Sequence, residues 1–280
     1  MCQECGCGLP REVSIHGPAS GGMTSPVPQP SHLSERDSAS ATAAAAPHAH
    51  DAADHQHAPR TLDLNRSLLE KNDRLAERNR GYFRAKRLLV LNVLSAPGSG
   101  KTTFIQKTAE LLAGQCRLGV IVGDLATDND ANRLRAAGLP VVQITTGTVC
   151  HLDAEMVARA ANQLELDSLD LLIIENVGNL VCSAAYDLGE GLRVVLLSVT
   201  EGEDKQLKYP PLFHSANVAI VTKADLATVT GWNRDLALAN LRRVSHHAAV
   251  FELSARSGDG MQAWRRFLLQ ARDALTAGQR

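Results

Sequence analysis

A run of apolar residues from Leu88 to Leu94 leads without a break into Ser95-Ala96-Pro97-Gly98-Ser99-Gly100-Lys101-Thr102, and a segment of helical periodicity follows. A buried strand that ends in a glycine-rich turn opening a helix leaves few folds available. The turn aims backbone N–H groups at one spot, and the helix N-terminus adds its positive end there. That spot suits a polyphosphate. Its expected contacts are Pro97, Gly98, Ser99 and Gly100, then Lys101 at the outer phosphates, with Thr102 and Thr103 at the helix start and the Thr102 hydroxyl placed for Mg²⁺. The usual pattern opens with Gly, and Ser95 stands there instead.

Strand-like and helix-like segments alternate beyond this point. Strands are expected over 88–94, 118–122, 141–144, 169–175, 194–199, 218–222 and 250–253, nearly all as continuous apolar runs, which suit a parallel sheet covered on both faces. Helices are expected over 103–113, 129–137, 154–164, 232–246 and 260–275. The fold class is therefore α/β, a mostly parallel, doubly wound sheet whose ligands bind at the carboxyl ends of the strands. Ahead of it, Leu64, Leu68 and Leu75 share one helical face and Glu70 precedes Arg74 by four residues, so a further helix is expected to pack on the domain.

Composition divides the chain. Residues 1–60 are rich in Pro, Ser, Ala and His and poor in large apolar side chains, so they are expected to form a disordered tail, with one domain over 61–280. A net charge of −1 and the lack of a basic stripe argue against nucleic acid. Apolar runs of strand length argue against a membrane span, and the first ten residues do not read as a secretory signal, so a cytoplasmic protein is expected. In that compartment the six cysteines are thiols, more readily metal ligands or redox groups than disulfides.

Other strand ends carry chemistry too. Leu171 to Glu175, followed by Asn176-Val177-Gly178, delivers an acid three residues before a glycine, as a γ-phosphate and Mg²⁺ sensor requires, although Asp is the more usual acid. Asp124 closes the second strand and, with Asp128, can hold a metal-bound water or orient the attacking one; two loop carboxylates are the plain alternative. Thr222-Lys223-Ala224-Asp225 resembles the guanine-reading Asn-Lys-x-Asp motif. Asp225 can accept two hydrogen bonds from the guanine edge and the Lys223 stem can underlie the base, but Thr222 lacks the amide. Ser254-Ala255-Arg256 fits the small loop that meets the guanine carbonyl.

Metal-ligand types occur in three places. Cys2, Cys5 and Cys7 put three thiols within six residues, an arrangement for one soft ion: Ni²⁺ or Cu²⁺ if square-planar, Zn²⁺ if tetrahedral. A redox dithiol is the alternative. His48, His50, His55 and His57 form a tract that either holds borderline metals loosely or is simple low complexity. Cys150-His151 and Cys182 lie within the domain, on segments leaving strand ends beside the acid switch. Three ligands imply a shared or open coordination sphere; two ordinary cysteines and a surface histidine are the alternative. Cys116 has no ligand-like neighbours.

Taken together, these residues resemble the HypB family, GTPases of the SIMIBI class that help deliver nickel to [NiFe]-hydrogenase. The resemblance rests on Cys2-x-x-Cys5-Gly6-Cys7, the His-rich linker, Lys71-Asn72-Asp73, residues 95–102, Gly123-Asp124 with Asp128-x-Asp130-Ala131, the stretch from Thr146 through Cys150-His151 to Ala154, Glu175 through Cys182, and Glu201 to Lys205. It covers essentially the whole chain. Departures are Thr222 for Asn, and Ser183 and Gln206 where Pro is common. The resemblance implies slow hydrolysis of GTP to GDP by a GTP-dependent homodimer, with Ni²⁺ moved toward a hydrogenase large-subunit precursor together with a HypA-type metallochaperone. It implies a tighter nickel site at Cys2, Cys5 and Cys7, a weaker nickel or zinc site at Cys150, His151 and Cys182, and Lys205 near nucleotide at the dimer interface. Other readings are a urease-type accessory GTPase, a nickel or zinc storage protein with a weak nucleotide site, and a small-molecule kinase.

Overall fold

In the computed structural model, which describes residues 13–17 and 58–277, the apolar runs pair into one eight-stranded sheet. In chain order the strands are β1 (Ser14–His16), β2 (Leu89–Leu94), β3 (Leu118–Asp124), β4 (Val141–Thr145), β5 (Leu171–Glu175), β6 (Leu192–Ser198), β7 (Val218–Thr222) and β8 (Ala249–Glu252). Their spatial order is β1-β4-β3-β5-β2-β6-β7-β8, so the strand leading into the glycine-rich turn sits among the inner strands. Every pairing is parallel except β1 on β4. The helices are α1 (Ala58–Ala85), α2 (Lys101–Leu112), α3 (Asn129–Ala136), α4 (Ala154–Ala161), α5 (Lys205–Lys208), α6 (Pro210–His214), α7 (Ala227–Thr230), α8 (Arg234–Val244) and α9 (Met261–Ala277). The expected strands and long helices agree with these within about three residues.

The inner strands read as largely apolar runs because both faces are covered. Alternate residues serve opposite layers: Leu91, Val93, Val120 and Ile173 join Phe104, Leu134 and Trp264 in one core, while Val90, Ile121, Leu172 and Ile174 join Phe83 and Met156 in another. Each such side chain contributes about 1.5–3 kcal/mol of burial. α9 is fixed by Trp264, fully buried among Phe104, Phe251 and Phe267 at centroid distances of 5.4, 5.6 and 5.7 Å, with its indole N–H donating to Thr108 Oγ1 at 3.0 Å.

α1 does pack on the domain, but not through the leucine face. Leu68 is half exposed and Leu75 only partly covered, and Glu70 pairs with Arg66 instead of Arg74. The buried stripe is Asn72, Ala76, Asn79 and Phe83. Asn72 donates to Asp187 O at 2.8 Å and accepts from Ala154 N at 2.9 Å, while Asn79 donates to Ala154 O and Leu188 O. A small, polar stripe wins here because its amides satisfy backbone groups of two loops that a leucine face would leave unpaired.

β1 is a second departure. It falls in the stretch expected to be tail, yet Ser14, Ile15 and His16 pair antiparallel with Thr145, Ile144 and Gln143, and Val13 and Ile15 pack on the core. The expected ligands Cys2, Cys5, Cys7, His48, His50, His55 and His57 lie outside the described residues. No helix among the described residues is long and apolar enough to cross a membrane.

Candidate functional site

The turn after β2 forms the expected loop. Gly100 caps α2 with φ 96° and Gly98 has φ 74°, a left-handed region that a side chain would strain. Ser95, the departure from Gly, organises the loop through its hydroxyl, which accepts from Lys101 Nζ at 3.0 Å and from the Ser99 hydroxyl. Ser99 also reaches Ala96 O at 2.9 Å. Burial pulls the Lys101 ammonium below its ordinary pKa, with Glu175 the largest opposing influence. That environment favours an anionic ligand, which would restore the charged form.

Two adjoining cavities meet at Gly100 and Thr103. The first, about 370 Å³, is lined by Pro97, Gly98, Lys101, Thr102, Asp124, Asp130, Arg133, Glu175 and Gly178. Glu175 is 3 % exposed, and its Oε1 accepts from the Thr102 hydroxyl at 2.7 Å. Its other oxygen is buried without a hydrogen-bond partner, and burial pushes its pKa up to about 7 despite Thr102 and Lys101. A buried carboxylate with one oxygen unsatisfied beside a threonine hydroxyl fits a small hard cation such as Mg²⁺. Gly178 runs so close to the loop that a Cβ there would lie 3.1 Å from Pro97 N and Cα, so the backbone after Glu175 packs directly on the loop. Asp124 holds the following turn, accepting from Ala126 N and Thr127 N at 3.0 and 2.8 Å. Asp128, expected beside it, is the exposed N-cap residue of α3 and does not line this cavity. Asp130 and Arg133, two and five residues on, do. Arg133 left no signal in the sequence.

The second cavity, about 290 Å³, is lined by Ser99, Thr103, Phe104, Thr222, Lys223, Asp225, Leu226, Ser254, Ala255 and Arg256. The carboxylate and the small loop expected to read guanine are therefore brought together. Thr222 replaces the missing amide in a different way, donating to Ser99 O at 2.9 Å and tying β7 to the phosphate loop. Lys223, at φ 56°, reaches Gly98 O at 2.7 Å. Lys205 lines neither cavity; it opens α5, faces Glu201 at 3.6 Å and lies over the Tyr209 ring at 5.5 Å.

Cys150, His151 and Cys182 converge, each with a ligand atom within 4.8 Å of the others. Cys150-His151 follows β4, and Cys182 opens a 3₁₀ turn, Cys182–Ala185, after the switch. Asn179 Oδ1 accepts from Val181 N and Cys182 N, which fixes that turn. The buried His151 ring stacks on Tyr186 with centroids 3.9 Å apart. Two thiols and an imidazole suit a borderline ion such as Ni²⁺ or Zn²⁺, and no fourth His, Cys, Asp or Glu joins them among the described residues. Cys116 stands apart, packed on the core beside Asp170 and Arg272, with burial pushing its thiol pKa up.

A glycine-rich loop on an inner parallel strand, with a second cavity beside it, defines a nucleotide-binding protein of the phosphate-loop class, and a thiol–imidazole cluster that could hold a metal ion lies on neighbouring loops. A family model described as CobW/HypB/UreG, nucleotide-binding domain, matches residues 89–252. The chain is 51 % identical to hydrogenase maturation factor HypB of Azotobacter chroococcum mcd 1, over 78 % of this chain and 73 % of that protein. It is 42 % identical to HypB of Escherichia coli strain K12, over 96 % and 98 %. The crystal structure of HypB from Helicobacter pylori in complex with nickel matches at a TM-score of 0.70 and 39 % identity, covering 73 % of this chain and 96 % of that one. The chain belongs to the HypB family of hydrogenase maturation factors, as its motifs led one to expect.

Proposed function

We propose that this chain is a GTP-hydrolysing nickel carrier in which nucleotide state sets the geometry of Cys150, His151 and Cys182. The observation that carries this reading is the convergence of those three side chains on the segments that leave β4 and β5, one of which begins at Glu175. Loop N–H groups and Lys101 bind the phosphates and stabilise the charge that develops as the γ-phosphoryl leaves. Thr102, Glu175 and Asp124 are the residues that would hold Mg²⁺, which neutralises phosphate charge when bound. Asp124 and Glu175 also orient water, and Asp225 with Lys223, Ser254, Ala255 and Arg256 selects guanine. Hydrolysis then relaxes the switch and changes metal affinity.

The cargo passes to a [NiFe]-hydrogenase large-subunit precursor, in the cytoplasm, with a HypA-type metallochaperone as partner. The working form is a GTP-dependent homodimer in which Lys205 approaches nucleotide. Cys2, Cys5 and Cys7 hold nickel more tightly, the histidines 48, 50, 55 and 57 store it weakly, and Zn²⁺ competes at the domain site.

Two measurements test this. Lys101→Ala is expected to lower GTP turnover at least about 100-fold; turnover independent of Lys101 would favour a storage protein. Titrating Ni²⁺ into a Cys2/Cys5/Cys7→Ala variant with GDP or a non-hydrolysable GTP analogue is expected to give different affinities. Equal affinities would sink the switch.

A further inference from the structure

We propose that Asn176, Asn92 and the Glu190–Arg193 pair form a buried relay of positioning residues that fixes Cys150-His151 relative to Cys182 and carries switch movement to both. This deepens the reading that nucleotide state sets metal affinity, and rests on it.

The relay starts beside Glu175. Asn176 is 1 % exposed; its carbonyl oxygen accepts from Val177 N at 2.9 Å and from Leu152 N at 3.4 Å, the residue directly after His151. Its amide donates to Asn92 Oδ1 at 3.2 Å, on fully buried β2. Asn92 donates onward to Glu190 Oε1 at 3.1 Å, and Arg193 Nε meets the same oxygen at 2.9 Å. Glu190 Oε2 accepts from Leu188 N at 2.8 Å. Arg193 then forks to Ala184 O at 3.1 Å, inside the turn that Cys182 opens, and to Tyr186 O at 3.0 Å, just after it. Tyr186 closes the circuit by stacking on His151.

Asn176, Asn92 and Glu190 are buried and Arg193 is largely covered, each hydrogen-bonded to the next, so none can shift alone without leaving a buried polar group unsatisfied. Asn92 lies on a rigid inner strand and acts as the fixed point. A displacement of residues 175–178 must therefore either break the Asn176 bonds or move Leu152, and with it Cys150 and His151, while Arg193 holds the Cys182 turn to Asn92. The positions of Cys150, His151 and Cys182 are thus tied through one network to residues 175–178.

The test uses the full-length chain in the Cys2/Cys5/Cys7→Ala background, with Ni²⁺ affinity measured in GDP and in a non-hydrolysable GTP analogue. The parent is expected to show a ratio of at least about fivefold. Asn92→Ser cuts the relay at its centre and is expected to bring the ratio to within about twofold of unity. Should Asn92→Ser not fold, Arg193→Lys carries the test, since Lys keeps the charge opposite Glu190 but cannot fork to both carbonyls; the same collapse is expected. A merely structural role would lower the melting temperature and weaken Ni²⁺ equally in both nucleotide states. A preserved ratio in the folded variants overturns the relay, whereas a ratio of one in the parent overturns the nucleotide-switch reading itself.

Discussion

Glu175 lies at the meeting point of phosphate loop, switch and relay, and its environment penalises the charge it needs. In metal-free protein the folded state keeps a proton on this carboxyl between about pH 4.5 and 7 that the unfolded chain releases. Stability from the protonated form is thus fully present below about pH 4.5 and is lost as pH rises through about 7, a cost on the order of 3 kcal/mol by the upper end. Glu175→Gln removes it. In chelator, the fall in melting temperature from pH 5 to 7.5 is expected to shrink by on the order of 5 °C in the variant; an unchanged profile would assign the pH dependence to other groups. Ser95 and Thr222 make a related point at the same scale. Each departs from a familiar motif residue, and each supplies a hydroxyl that ties the phosphate loop to itself or to β7.

At the scale of elements, what was legible followed burial. β2 to β7 are covered on both faces, so most write a nearly continuous apolar run, and loops at their ends could be placed from sequence; edge strand β8 leaves Val250 exposed. α1 was legible as a helix but not in its orientation, because Asn72 and Asn79 look like surface residues until Ala154, Asp187 and Leu188 are seen to receive them. α5, α6 and α7 are too short for periodicity to register. β1 is only three residues long and pairs with a strand about 130 residues further on. The same division governs stability. Trp264→Ala should cost about 3–5 kcal/mol, read as a lower urea midpoint, since it empties the junction of α2, α9 and β8. Ile15→Asp should instead leave the midpoint within about 1 kcal/mol and speed hydrogen exchange only at the β4 amides that face β1, as expected for a short edge strand.

Across the described molecule, both cavities and the Cys150–His151–Cys182 cluster gather on the loops at the carboxyl ends of β2, β3, β4, β5, β7 and β8. The domain's share of the metal can be separated from the rest of the chain. A Cys2/Cys5/Cys7→Ala protein is expected to retain one moderately bound Ni²⁺, and adding Cys182→Ala should remove it, as counted by equilibrium dialysis; retention would place that ion elsewhere. β1 adds a geometric consequence to this layout. Because it runs antiparallel to β4 with Ser14 opposite Thr145, Val13 sits at the end of β4 from which residues 146–151 depart. Three paired residues at the sheet edge thus fasten the strand end from which the Cys150 loop departs.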